Sequence, residues 1–262
     1  MKKHHWNGSL ITATRQSPSS SAANGLFNLV SQQVFKSASK WPAIVTDGLF
    51  LHLDAGETDS YSGSGTTWYD LTSNDLDFTL QNGPVHNSSL GGYFDFDGTN
   101  DKAELSSGWT SFDSDPFTIE IWYRYHTAAA FESLLATQSG GTASFQIDFT
   151  GTAGRLRFNT PDNELSATSA TEGANTWKQV VFVREGTGTN QFKIYLNGSL
   201  DTTSTIATNF TNDGQLAIAR NRANNQSYDG DISVVRIYKN KGLTSDEVTQ
   251  NYDAVKGRYG LS

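Results

Sequence analysis

From Asp47 onward the chain is a succession of short apolar runs separated by glycine, asparagine, aspartate and serine. The clearest run, from Phe117 to Tyr125, places apolar residues at every second position, as a strand does when one face lies in a core. Asn197-Gly198 indicates a two-residue hairpin, because both central residues of a type I′ turn need positive φ. Many short strands joined by tight turns favour an all-β antiparallel sandwich or jelly roll. Further strands are predicted at 48–53, 93–96, 103–105, 144–149, 155–158, 180–183, 192–196, 216–219 and 232–238.

One short helix is predicted near the C-terminus. Thr244 to Glu247 reads as a capping box, in which a threonine side chain and a glutamate three residues later satisfy the first backbone N–H groups. Val248, Tyr252 and Val255 follow on one face of this helix.

The composition agrees with a strand-rich domain. There are 24 glycines against 5 prolines, 12% of residues are aromatic and 18% are charged, whereas a helical protein would be richer in charged helix formers. The absence of cysteine excludes disulfides and thiolate metal sites, and favours a reducing cytoplasm. The first ten residues lack an apolar stretch, so we expect no signal peptide, and no run is long enough for membrane insertion.

Residues 1–46 differ from the rest and are predicted to form an extended N-terminal attachment arm ahead of a domain at 47–262. They hold five basic residues and no acid, so they carry +5 of a chain whose net charge is −8, which leaves −13 beyond them. After a serine-rich segment, Leu26, Phe27 and Val30 fall on one face of a short helix, and Trp41 precedes a proline. We expect these four side chains to anchor the arm on a partner, in a homo-oligomer such as a trimer.

Four segments of the domain carry a family resemblance. They are YFDFDGTND at 93–101, FTIEIW at 117–122, WKQVV at 177–181 followed by KIYLNG at 193–198, and GDISVVRIY at 230–238. In this order they resemble the landmarks of laminin-G-like, concanavalin A-like domains, over about residues 47–260. The resemblance implies a two-sheet jelly roll whose loops or concave face bind ligands, without naming a ligand. It also places Trp122 and Trp177 at core positions, so we expect both between the sheets. Core positions are also expected for Phe94, Phe96, Phe117, Ile119 and Ile237.

The arm has a resemblance of its own. The serine-rich segment, GLFNLVSQQVF and KWP ahead of DGLFLHLDAG resemble virion structural proteins of tailed phages. This implies a virion-associated structural or adhesion protein, such as a decoration or fibre subunit, made in the host cytoplasm and bound to virion proteins through the arm. A freestanding carbohydrate-binding lectin and a glycoside hydrolase of the same fold remain alternatives.

Catalysis is not expected, although related folds include glucanases. Those enzymes place carboxylates around an aspartate on one strand, as nucleophile and general acid. The nearest segment here is Gln146-Ile147-Asp148-Phe149-Thr150, where glutamine and threonine occupy the flanking positions.

We also expect no metal and no cofactor. Many relatives hold calcium, with one ligand from an aspartate in the final strand, but Ser233 stands at that position. Asp229 and Asp231 lie close by as alternative oxygen ligands.

The ligand-binding candidates are aromatic residues that fall in predicted loops. Trp68, Tyr69 and Asp70 follow a serine- and glycine-rich turn, and Trp109 lies in another loop. Such rings could stack on the pyranose rings of a surface glycan. Basic residues in the domain are scattered singly on an acidic background, so nucleic acid is not an expected partner.

Overall fold

The computed structural model describes residues 43–262, except 128–130, 139–144, 151–153, 161–164, 169–172, 212–214 and 222–225. The predicted arm anchors, Leu26, Phe27, Val30 and Trp41, lie outside the described residues.

The described chain forms two antiparallel sheets of eight strands each, as the sequence predicts. Sheet I contains β1 (Leu49–Asp54), β4 (Val85–Asn87), β5 (Tyr93–Asp97), β7 (Phe117–Tyr125), β12 (Lys178–Arg184), β13 (Phe192–Leu196), β14 (Ser199–Ser204) and β16 (Asp229–Lys239). Sheet II contains β2 (Thr67–Trp68), β3 (Phe78–Gln81), β6 (Lys102–Leu105), β8 (Ser133–Gln138), β9 (Gln146–Phe149), β10 (Leu156–Asn159), β11 (Leu165–Ala167) and β15 (Gln215–Ile218). Sheet I runs β14-β13-β12-β7-β16-β5-β4, with β1 also paired to β16, and sheet II runs β11-β10-β9-β8-β15-β6-β3-β2.

The core between the sheets is built by the alternation visible in the sequence. In β7, Phe117, Ile119 and Ile121 point inward and are fully buried. Strands of sheet II meet them with Ile147 and Phe158, among others. Phe94, Phe96 and Ile237 lie in the same cluster, so the predicted core members are confirmed.

Two local predictions are also confirmed. Asn197 and Gly198 have φ of 48° and 77°, as a type I′ turn between β13 and β14 requires. The helix α1 (Ser245–Val255) begins with the predicted capping box, in which the Thr244 side chain accepts from the Glu247 N–H. Two short 3₁₀ helices, Ser89–Gly91 and Lys256–Tyr259, complete the regular structure of the described residues.

The C-terminal segment, which consists of α1 and the 3₁₀ helix Lys256–Tyr259, packs on the outer face of sheet I. This corrects the expectation that Trp122 and Trp177 lie between the sheets. Trp122 is fully buried and Trp177 is 5% exposed, but both lie on that outer face and not between the sheets. Trp122 stacks on Tyr252 and Tyr259, with ring centroids 5.6 and 5.0 Å apart. The reason is strand geometry: Trp122 alternates with the inward residues of β7, so its side chain must point outward.

The chain enters the domain on this same side. Val45 is buried among outward residues of sheet I and of the C-terminal segment. Its N–H donates to Asn251 Oδ1 at 2.8 Å, and its carbonyl accepts from the Tyr238 hydroxyl at 3.0 Å. Ala43 accepts from the Gln250 side chain at 2.6 Å. Residues 43–46 therefore belong structurally with the sandwich, while the predicted boundary at residue 47 stays a prediction.

Among the described residues, no helix is both long enough and apolar enough to span a bilayer.

Candidate ligand-binding face

The outer face of sheet II carries polar side chains that strand alternation turns away from the core. Ile147 and Phe149 of β9 point inward, so Gln146 and Asp148 point outward. Arg157 of β10 stands opposite Asp148 in the register. Whereas α1 and its neighbours cover the outer face of sheet I, no described helix packs on these strands.

Asp148 is held by two partners on this face. Arg157 Nε lies 2.5 Å from Asp148 Oδ1 and Arg157 Nη2 lies 2.9 Å from Oδ2, which is the bidentate geometry of a strong charge-assisted pair. Gln146 Nε2 donates to the same Oδ2 at 2.9 Å. Burial raises the pKa of the Asp148 carboxyl above its usual range, and the hydrogen bond and charge of Arg157 oppose that rise.

The network extends into the segment that leads from β15 to β16. Gln146 Nε2 also donates to Gln226 Oε1 at 2.5 Å, and Asn221 Nδ2 donates to the same oxygen at 2.8 Å. The Gln226 N–H in turn donates to Asn221 Oδ1 at 3.1 Å. The partly buried amide and guanidinium groups are thus fixed in orientation by one another around the fully buried Asp148.

Phe131 places an exposed ring beside this network. Its side chain is 40% exposed, and the Arg157 guanidinium carbon lies 5.2 Å from its ring centroid, within cation–π range. Its φ is 68°, a conformation that is an outlier for a bulky residue, and its N–H donates to the Phe149 carbonyl at 2.9 Å. Backbone strain of this kind concentrates at functional sites, where it aims a side chain. The arrangement can stack on an apolar ring face and hydrogen-bond to hydroxyls around it.

The structure places the sequence-predicted candidates elsewhere. Trp68 is fully buried, with its ring 4.8 Å from that of Phe94, and Trp109 is 8% exposed against Phe50 and Phe112. Trp68 lies in β2 and not in a loop, because pairing of β2 with β3 turns its ring into the core, whereas Trp109 lies in a loop as predicted and is enclosed there by aromatic neighbours.

Asp70 and Tyr69 also separate from the ligand-binding face. Asp70 is 8% exposed and accepts from the N–H groups of His52, Thr72 and Leu76, so it organises its own loop. Tyr69 alone of the four is exposed, at 48%, and follows β2 at the edge of sheet II opposite β11.

Position 233 does not supply the carboxylate that the family resemblance implies for calcium. Ser233 is fully buried, and its hydroxyl donates to the Gly92 carbonyl at 2.6 Å. A neutral hydroxyl that donates to a main-chain oxygen brings no negative charge to a calcium site, unlike the aspartate that it replaces. The expectation that no calcium binds at this position stays a prediction.

Phe131, Arg157 and Gln226 were not singled out by sequence reasoning. The available signal was the alternation around Asp148, which already turns Gln146 and Asp148 outward. Strand β10 then pairs Arg157 with Asp148. Gln226 comes from a distant loop, 80 residues from Gln146, and no local pattern marks it.

The fold and the comparisons together establish the family. The family model described as "Concanavalin A-like lectin/glucanases superfamily" matches residues 97–249. The chain belongs to this superfamily. No curated protein matches it in sequence.

Several solved structures share the fold. Domain 4 of AbnA, a GH43 extracellular arabinanase from Geobacillus stearothermophilus in complex with arabinotriose, is 16% identical with a TM-score of 0.61, over 79% of this chain and 98% of that domain. The ligand-binding domain of botulinum neurotoxin serotype D, in complex with N-acetylneuraminic acid, is 13% identical with a TM-score of 0.59, over 79% of this chain and 51% of that one. Trypanosoma rangeli sialidase is 16% identical with a TM-score of 0.61, over 82% of this chain. The chain spans about half of the neurotoxin domain and 34% of the sialidase.

Proposed function

We propose that the protein is a glycan-binding module that uses the outer face of sheet II. The observation that carries this proposal is the exposed Phe131 ring, held beside the fixed Arg157–Asp148 pair. A sugar presents an apolar ring face and a girdle of hydroxyls. An aromatic ring with oriented amide and charged groups beside it matches both.

Two of the similar structures support this class of ligand. The arabinanase domain is described in complex with arabinotriose, and the neurotoxin domain with N-acetylneuraminic acid. Two proteins that share this fold over all or part of their length are therefore described with carbohydrates of different charge. The proposal covers both neutral and anionic glycans, because Arg157 and Gln146 offer groups that complement either kind.

We propose binding without turnover. A retaining glycosidase needs two carboxyl groups about 5–5.5 Å apart, one of them free to act as nucleophile. Here both Asp148 oxygens accept from Arg157, and Gln146 adds a further bond. An aspartate engaged in this way orients its neighbours, and the flanking Gln146 and Thr150 bring no second carboxylate.

The finer proposal is that residues 1–46 attach the module to an assembly, such as a virion, and that the sandwich is the presented part. The chain enters at Ala43 and Val45 on the outer side of sheet I, opposite the face that carries Phe131. Attachment on one side would leave the glycan-binding face directed outward. The +5 charge of the arm against the acidic remainder favours separate partners for the two parts.

A glycan array probed with the full chain tests the binding proposal, with reducing-end release measured on every glycan that binds. We expect binding to a defined set of glycans and no release. An array without specific binding would contradict the proposal of a glycan-binding module. Release of reducing ends that disappears in Asp148→Asn would show that the protein is a hydrolase. Mass spectrometry of purified particles from the source culture tests the assembly proposal separately.

A further inference from the structure

A second cluster of polar side chains lies on the outer face of sheet I, away from the glycan-binding face. The register places Asp231 of β16 beside Asp95 of β5 and Arg124 of β7. His126 follows β7 directly, and its N–H donates to the Asp229 carbonyl at 3.1 Å. Asp95, His126 and Asp231 each offer one ligand atom such that all three atoms lie within 4.8 Å of one another.

One carboxylate oxygen of Asp231 has no hydrogen-bond donor beside it. Its side chain is 1% exposed, and its Oδ2 lies 2.5 Å from Arg124 Nε and 3.2 Å from His126 Nε2. Its Oδ1 is buried without a hydrogen-bond partner. A buried carboxylate oxygen without a partner is costly, so this oxygen indicates that a cationic group belongs beside it.

The charges of the cluster lead to the same conclusion. Three carboxylates, on Asp95, Asp229 and Asp231, face the single permanent cation Arg124, which leaves two negative charges when His126 is neutral. One divalent cation would neutralise the cluster.

The histidine is arranged as metal-binding histidines are. His126 Nδ1 lies 3.2 Å from Asp229 Oδ1. In the tautomer that is protonated at Nδ1, the Nδ1–H donates a hydrogen bond to that carboxylate, and Nε2 has a lone pair available for a metal. Nε2 lies 3.2 Å from Asp231 Oδ2, the oxygen that Arg124 also contacts. This is close to the separation of about 3.3 Å between two ligand atoms of a tetrahedral zinc ion with bonds of about 2.0–2.1 Å.

We propose that Asp95, His126 and Asp231 bind a divalent transition metal of the zinc type, with Asp229 orienting the histidine. An imidazole nitrogen with carboxylates suits zinc, whereas calcium and magnesium take oxygen ligands. Three protein ligands leave a fourth position open to water or to a donor from a bound partner. The site is distinct from the glycan-binding face and does not depend on the proposed function.

The test is calorimetric titration with zinc chloride on the full chain. His4 and His5 are adjacent at the N-terminus and could bind zinc on their own, so both are replaced by alanine in every protein used. We expect one zinc ion per chain, with calcium and magnesium bound at least tenfold more weakly. His126→Ala and Asp95→Asn should each weaken zinc binding at least tenfold, and Asp229→Asn by about tenfold.

Asp59→Asn is the matched control, since Asp59 is exposed and lies outside the cluster. It removes the same charge as Asp95→Asn and should leave zinc binding unchanged. Circular dichroism and melting in EDTA establish that each variant is folded, and the partly exposed Asp95 provides a folded test if His126→Ala unfolds the chain. Absence of zinc binding, tighter binding of calcium, or equal affinity in Asp95→Asn and Asp59→Asn would overturn the proposal.

Discussion

The Asn251 side-chain amide donates a 2.8 Å hydrogen bond to the carboxylate of Glu120, and both side chains are fully buried. The same carboxylate accepts from Arg236 at 3.0 Å and from Gln179 at 2.9 Å. Glu120 therefore joins α1 to three strands of sheet I under the C-terminal segment. If the carboxylate is removed, Arg236 and Gln179 lose this acceptor, while Asn251 still donates to the Tyr238 hydroxyl.

Glu120→Ala should lower the free energy of unfolding by about 3–5 kcal/mol, because it leaves the buried Arg236 guanidinium without its counter-ion. Urea unfolding measures this change. Glu185→Ala is the control, since Glu185 pairs with Lys193 at the exposed surface and such pairs contribute about 0–1 kcal/mol. Similar losses in the two variants would contradict the role assigned to Glu120.

Trp122→Ala should lower the free energy of unfolding by roughly 3–5 kcal/mol, as large aromatic deletions from cores do. Because Trp122 stacks on Tyr252 and Tyr259, the loss should fall first on the C-terminal segment. Hydrogen exchange should quicken across 245–259 more than across 146–149. A larger increase in exchange across 146–149 than across 245–259 would contradict the placement of Trp122 on the outer face of sheet I.

The strand pattern predicted much of the fold but not where each face lies. Alternation in β7 assigns Trp122 to the opposite face from Ile121, yet only the structure shows that α1 buries that face as well. Strands β2 and β11 contain two and three residues, too few for a periodic signal. In β8, Leu134 and Leu135 are both buried, across a register irregularity that breaks the alternation.

The candidate sites depended on long-range pairing that no local pattern contains. Asp148 was recognised, but its partner Arg157 is fixed by strand register and Gln226 by a distant loop. The exposure of Phe131 depends on its positive φ. The sequence gives no sign of this conformation, because phenylalanine rarely adopts it.

His52 should make stability fall in mild acid. Burial, followed by the charges of Arg236 and Arg258, holds the pKa of the imidazole well below its ordinary 6.5. The unfolded chain takes up this proton near pH 6.5 and the folded chain does not, so stability is lost as pH falls through 6.5, by about 1.4 kcal/mol for each pH unit. Unfolding of wild type and His52→Gln at pH 7.5 and 5.5 measures it. An equal pH dependence in both proteins would contradict this assignment.

Removal of the arm should separate folding from assembly. A protein that starts at Ala43 keeps the Val45 contacts and should melt as the full chain does, yet fail to join its assembly. A protein that starts at Asp47 should still fold but with lower stability, because Asn251 Oδ1 and the Tyr238 hydroxyl lose Val45. Melting curves and co-sedimentation with the assembly report the two effects. Normal assembly without residues 1–42 would show that the arm has no attachment role.

The central claim is that the outer face of sheet II binds glycans through Phe131, and calorimetric titration with the best array glycan tests it most directly. Leu200→Ala is the matched control, since Leu200 is 54% exposed on β14 of sheet I. Loss of an aromatic stacking contact should weaken binding at least tenfold in Phe131→Ala, with an unchanged melting temperature, while Leu200→Ala binds as wild type does. Equal affinity in Phe131→Ala and wild type would contradict the account.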